Sequence, residues 1–154
     1  RLLVYLDRRC AAGGGPVYVL ASSGLLSDQV LAFSNLSLGA DHPSVGQILG
    51  AAHVDRRDGF PRGLLAARTV LVAFPIQIHL RAADQLVVVE TATSFRRTTD
   101  VALAFQPLAR PFVLDGGVEV WAFERLRAHT ADEVAELGER LRSAYPDRPE
   151  IFSP

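Results

Sequence analysis

Near the start of the chain, Leu3, Leu6 and Cys10 recur at helical spacing, and Gly13 marks where that helix stops. Gly13-Gly14-Gly15-Pro16 then breaks the chain. Val17–Ala21 (VYVLA) is a short apolar run rich in β-branched residues, expected as a buried strand, and Ser22-Ser23-Gly24 turns out of it. Ser27 is placed to cap a helix from Asp28 to about Leu38, with Gly39 ending it. From Ala40 to Gly50 the pattern is irregular, and Ala51–Val54 is expected as a short strand. Pro61 opens a short helix through Ala67, and Thr69–Phe74 (TVLVAF) is a strand limited by Pro75. Ala82–Gln85 suits one turn of helix, and Leu86–Thr91 (LVVVET) is expected as a further strand. Thr99 would cap a helix over Asp100–Phe105. Phe112–Leu114 and Val118–Phe123 flank Asp115-Gly116-Gly117, a hairpin turn. Thr130-Ala131-Asp132-Glu133 is a capping box, and Val134, Leu137 and Leu141 give the next helix an apolar stripe. Pro146 ends that helix, and an extended tail is expected after it.

Strands alternate with helices up to Phe105, and a hairpin closes the series. That order predicts an α/β three-layer sandwich with a mixed sheet, mostly parallel, and an antiparallel hairpin at one edge. The 154 residues suit a single domain. A chain of that length buries roughly two-thirds of the surface its unfolded form exposes, so it folds without disulfide or metal staples.

Composition narrows the classes further. Apolar residues make up 49% and charged residues 21%, ordinary globular values, and the net charge of −1 gives no global field for nucleic acid. The single Cys10 excludes an internal disulfide and a cysteine-built zinc site. No apolar run reaches the ~18 residues that a membrane-spanning helix needs. The sequence has no Met, from which a piece of a longer protein is expected. All 16 basic residues are Arg, a usage that suggests a GC-rich bacterial genome.

Candidate chemistry gathers in three places. The first is His53–Gly63 (HVDRRDGFPRG), which packs His53, Asp55, Arg56, Arg57, Asp58 and Arg62 together. Asp55 and Asp58 are expected to pair with the neighbouring Arg residues, leaving one Arg free for an anionic group. A metal between these carboxylates would have to displace Arg56 and Arg57, so no metal is expected. The second is Ser22 and Ser23, at the carboxyl end of a buried strand, where open α/β sheets hold ligands; a plain capped turn explains the same residues. The third is Gln77 and His79, whose alternation with Ile76, Ile78 and Leu80 suits either a polar site wall or the outer face of an edge strand. Gly13-Gly14-Gly15 precedes its strand, the wrong side for a phosphate cradle, and no GxSxG elbow is present. No catalytic residue and no cofactor are implied.

Three stretches, Pro16–Ser23 (PVYVLASS), His53–Pro61 (HVDRRDGFP) and Val72–Gln85 (VAFPIQIHLRAADQ), resemble the soluble tail of bacterial polytopic membrane glycosyltransferases of the GT-C type, related to protein mannosyltransferases. Phe112–Arg127 (FVLDGGVEVWAFERLR) fits the same tail. The resemblance implies an accessory C-terminal domain on the extracytoplasmic (periplasmic) face of a bacterial membrane, beside the membrane-embedded transferase portion of the same chain. The parent would transfer sugar from a lipid-phosphate donor, and this domain, non-catalytic alone, would contact the lipid-linked sugar or the acceptor. In that family the catalytic acid lies in the membrane portion, so no catalytic residue carries over. The alternative is a free-standing α/β module that binds a small molecule or a nucleotide.

Overall fold

The computed structural model describes residues 1–37 and 47–154. The expected stop at Gly39 and most of the irregular stretch after it lie outside the described residues. The elements run α1 (Leu2–Ala11), β1 (Val17–Leu20), α2 (Asp28–Ser37), β2 (Ile48–Gly50), α3 (Asp55–Asp58), α4 (Arg62–Ala66), β3 (Thr69–Phe74), α5 (Leu86–Arg97), β4 (Phe105–Pro107), β5 (Phe112–Val113), β6 (Glu119–Arg125) and α6 (Ala131–Ala144). Short 3-10 turns cover Ala82–Asp84, Asp100–Ala104, Asp115–Gly117 and Pro149–Phe152.

The strands form one open mixed sheet in the order β2-β1-β3-β6-β4, with β5 also paired to β6. β2, β1 and β3 are parallel, and β6 runs antiparallel to β3, β4 and β5. The expected architecture, an α/β sandwich with a mostly parallel sheet and an antiparallel hairpin at one edge, is the one observed.

Pleating sends alternate residues of the sheet to two separate cores. Tyr18, Leu20, Val70 and Val72 face α4, α5 and α6. Val17, Val19, Leu71, Ala73, Val120 and Ala122 face the layer that contains Leu2, Leu6 and Leu31 of α1 and α2. Because both faces are covered, β1 is buried at every position, which is why it reads as an unbroken apolar run. Among the described residues no helix is long and apolar enough to cross a membrane.

Four expected elements differ. Leu86–Thr91 is no strand: it opens the helix α5, whose buried residues Val87, Val88, Thr91, Ala92 and Phe95 follow helical spacing. The short strand expected at Ala51–Val54 lies earlier, at Ile48–Gly50, because pairing with β1 aligns Val17 with Ile48. Asp100–Ala104 is a 3-10 turn that Thr99 does not cap. The tail coils back instead of extending, burying Phe152 and stacking it on Tyr145 at 4.9 Å between ring centres.

The ends of α4 and α6 have identifiable causes. Thr130 and Glu133 form the expected capping box at the start of α6. Arg125 of β6 satisfies the end of α4, donating to the carbonyls of Leu64 (3.0 Å), Leu65 (3.1 Å) and Ala67 (2.6 Å).

Candidate functional site

β1 leaves the sheet toward α2 on one face, and β2 returns across β1 to β3 through α4 on the other. The parallel strands therefore part company between β1 and β3, and in open α/β sheets the crevice beyond the carboxyl ends at such a point is where ligands bind. Here that crevice encloses about 290 Å³ and is lined by Ser22, Ser23, Ser27, Gln29, His53 and His79.

Each wall has a physical cause. Ser27 is buried and its Oγ accepts from the Val30 amide at 3.2 Å, fixing the start of α2. Ser23 Oγ accepts from the amides of Leu25 and Leu26, both at 3.2 Å, which folds the β1–α2 loop into a tight turn. Gln77, after β3, accepts from Ser23 Oγ at 3.0 Å through its side chain and from the Ser22 amide at 2.9 Å through its carbonyl. Asp28 Oδ1 lies 3.1 Å from His53 Nε2, and the His53 and His79 rings are 5.7 Å apart. The Asp28 carboxylate packs on Gly50: a Cβ there would lie 2.4 Å from Asp28 Cγ, so a side chain at that position would displace the pair.

Beneath these residues lies Gln85, fully buried. Its Oε1 accepts from the amides of His79 (3.0 Å) and Leu80 (3.1 Å), which fixes which end of the side chain is the oxygen. Its Nε2 donates to Ser22 Oγ (2.9 Å) and to the His53 carbonyl (3.2 Å). One amide thus ties together the loops that follow β1, β2 and β3. Every one of its hydrogen-bonding groups is used, the condition for a buried polar side chain to stabilise and not to cost.

The structure separates the residues of His53–Gly63. His53 alone enters the crevice. Asp55 is 1% exposed and turns inward, accepting from Tyr145 Oη (2.5 Å) and from the Val87 amide (2.8 Å), so it caps α5 from outside that helix. Its expected Arg partner is absent: burial, the largest influence, raises its pKa, and the Tyr145 and amide hydrogen bonds oppose that rise. Asp58 does pair with Arg57 (2.5 Å), and it also accepts from the amides of His53 and Val54. These contacts hold its pKa down at about 2, with the Arg57 hydrogen bond the largest cause. Arg56 reaches Asp147 at 2.5 Å and lies over the Tyr145 ring. Arg62 carries no carboxylate partner but donates to the Ser153 carbonyl at 3.0 Å. Asp58 and Arg62 border a different cavity, walled by Tyr18 and Gly50–Ala52.

No protein-family model, curated protein or solved structure matches this chain. The chemistry of the crevice therefore has to speak for itself. Ser22 is committed to Gln85 and Ser23 to Gln77, the Ser27 hydroxyl accepts from the Val30 amide, and His53 Nε2 is committed to Asp28. Among the described residues no crevice hydroxyl is hydrogen-bonded to an imidazole as nucleophile and base. No group of His, Cys, Asp or Glu among the described residues is arranged to hold a metal ion. What the crevice offers is a set of hydrogen-bonding hydroxyl, amide and imidazole groups with the Asp28 carboxylate at its edge.

The sequence pointed to Ser22, Ser23, His53, Gln77 and His79, and these do converge. Arg56, Arg57 and Asp58 lie elsewhere, and Asp55 lies under the site rather than in it. Gln85, Asp28, Ser27 and Gln29 were missed as site residues. Asp28 carried one signal, an acidic residue in the first turn of a helix that follows a strand; nothing local marks Gln85.

Proposed function

We propose that the chain is a non-catalytic accessory domain of a membrane-embedded glycosyltransferase that uses a lipid-phosphate-linked sugar, and that its crevice holds an uncharged, hydroxyl-rich group of the sugar or the acceptor. In this reading the domain sits on the extracytoplasmic (periplasmic) face of a bacterial membrane, beside the transferase portion of the same chain.

The observation that carries the reading is Gln85. The three stretches that resemble glycosyltransferase tails are far apart in sequence, yet each contributes a partner to this one amide. Ser22 comes from the first, His53 from the second, and His79, Leu80 and Gln85 itself from the third. The three stretches thus meet at one side chain beneath the crevice, although Arg56–Pro61 of the second and all of Phe112–Arg127 lie away from it. The nucleotide-binding alternative is less well supported. Asp28 stands in the first turn of α2, where a phosphate would meet the helix amides, and its carboxylate opposes an anion there.

A titration of the isotope-labelled chain with free hexoses tests this. At about 10 mM sugar, the scale of a weak carbohydrate site, amide shifts are expected at Ser22–Gly24, His53 and His79, and they are expected to shrink in Ser23→Ala. Shifts scattered over the surface, or none, would overturn the crevice assignment. A reading frame upstream of Arg1 without membrane spans would overturn the transferase assignment and leave the crevice standing. Sugar transfer by the isolated chain would overturn the non-catalytic role.

A further inference from the structure

The layer formed by α1 and α2 has an outer face that combines apolar and cationic side chains. Its inner side packs Leu2, Leu6 and Leu31 on the sheet. On the outer side, Arg1, Val4 and Arg8 follow one another at helical spacing and are all exposed. α2 presents Phe33 and Leu36 outward in the same way, 73% and 79% exposed. Between the two helices and β5 runs a groove of about 410 Å³ lined by Leu2, Leu3, Val30, Leu31, Phe112 and Val113, with Arg1 among its walls. Val113 is itself 69% exposed.

Among the described residues, the charged side chains that α1 and α2 turn outward have one sign. Arg1, Arg8 and Arg110, which precedes the groove residue Pro111, form no ion pair among the described residues. Neither helix turns a carboxylate outward: Asp7 is half-buried and already engaged, and Asp28 is paired with His53. The exposed Asp115 belongs to the turn beyond β5. In the opposite layer α6 exposes Asp132, Glu136 and Glu139, while α5 ends in the exposed Arg96 and Arg97. In a chain of net charge −1, this face thus sets cations without ion pairs beside the most exposed aromatic and aliphatic side chains of the described residues, Phe33 and Leu36.

We propose that the outer face of α1 and α2 docks on an anionic lipid bilayer. Phe33, Leu36, Val4 and Val113 would enter the boundary between headgroups and acyl chains, as the apolar face of an interfacial helix does. Arg1, Arg8 and Arg110 would meet the lipid phosphates, each cation favouring the anionic surface by about fivefold in partition. A protein partner would have to supply both an apolar ridge and several unpaired carboxylates, whereas an anionic bilayer presents both over its whole surface. The proposal stands apart from the crevice: a free-standing domain with this face would bind vesicles equally well, and hexose binding uses other residues.

Vesicle flotation of the chain tests it. Vesicles containing about one-third phosphatidylglycerol in phosphatidylcholine should carry roughly tenfold more protein than pure phosphatidylcholine, and ~0.5 M salt should remove the excess by screening. Phe33→Ser combined with Leu36→Ser should lower binding to anionic vesicles by about tenfold or more. Both side chains are exposed, so the melt should stay that of the unsubstituted chain. Arg8→Gln combined with Arg110→Gln should reduce the preference for anionic lipid to at most the roughly fivefold that Arg1 supplies, an arm that holds even if the first variant folds poorly. Failure of the unsubstituted chain to float with anionic vesicles, equal binding to both vesicle types, or undiminished binding of the Phe33/Leu36 variant would each overturn the proposal. A dimer that this variant dissolves, with no vesicle binding, would overturn it in favour of a second copy of the chain.

Discussion

Gln85 shows how far a single side chain can organise a site. Replacing it by Leu keeps the volume but strips partners from the His79 and Leu80 amides, the His53 carbonyl and the Ser22 hydroxyl. Buried groups left unpaired cost more than the lost bonds themselves. Gln85→Leu is expected to lower stability by about 2–4 kcal/mol in urea unfolding and to erase the sugar-induced shifts at Ser22 and His79. A loss below about 1 kcal/mol would mean that the strand ends hold themselves and that Gln85 merely fills space. At this scale the sequence was legible for residue types and misleading for partners. Asp55 was expected to pair with Arg56 or Arg57 because they are adjacent. A one-turn helix instead sends Asp55 inward to Tyr145, 90 positions away, and the arginines outward. Adjacency in sequence says nothing about which way a short helix turns.

α5 shows why one element was misjudged while others were found. LVVVET holds five β-branched or apolar residues and one glutamate, and a window that short does not distinguish a buried strand from a buried helix. Extended to Phe95, the pattern Val87, Val88, Thr91, Ala92, Phe95 has the helical period, and Asp55 supplies from afar the cap that the local sequence lacks. The helix is buried enough to hold a polar group without a partner. Thr91 is 0% exposed, and its hydroxyl makes no hydrogen bond. Thr91→Val removes that hydroxyl and keeps the shape, so the unfolding free energy is expected to rise by about 1 kcal/mol. Destabilisation instead would show that the hydroxyl has a bound water or an alternative rotamer that satisfies it.

At the scale of the whole molecule the architecture was legible because it follows from burial alone. Continuous apolar runs at Val17–Leu20 and Thr69–Phe74 require a sheet covered on both faces, and the Asp115-Gly116-Gly117 turn requires an antiparallel return. What the pattern could not show is how the layers are joined. One junction lies where Arg125 caps α4 and sits 4.8 Å above the Phe105 ring, with the His129 ring 5.6 Å from Phe105 on the approach to α6. Neither nitrogen of His129 has a hydrogen-bond partner. Burial, then the nearby Arg125, depress its pKa to about 4, while Glu133 and Asp100 oppose that shift only in part. In the unfolded chain the same ring titrates near its ordinary value of about 6.5. Between these values the unfolded state binds more protons than the folded state, so stability rises with pH across the window and is lost as pH falls through it. The ring is half-buried, and solvent screening discounts the full effect, leaving an expected loss of roughly 1–2 kcal/mol between pH 7 and pH 4. Asp55, with its raised pKa, works in the opposite direction, and Asp58 and Glu133, both held at about 2, act mainly below the window. All three carboxylates remain when His129 is replaced by Phe, so the difference between the two proteins isolates the ring. Urea unfolding followed from pH 7 to pH 4 should show the shallower slope in His129→Phe; equal slopes would mean that His129 is protonated in the folded protein and that its charge is accommodated beside Glu133.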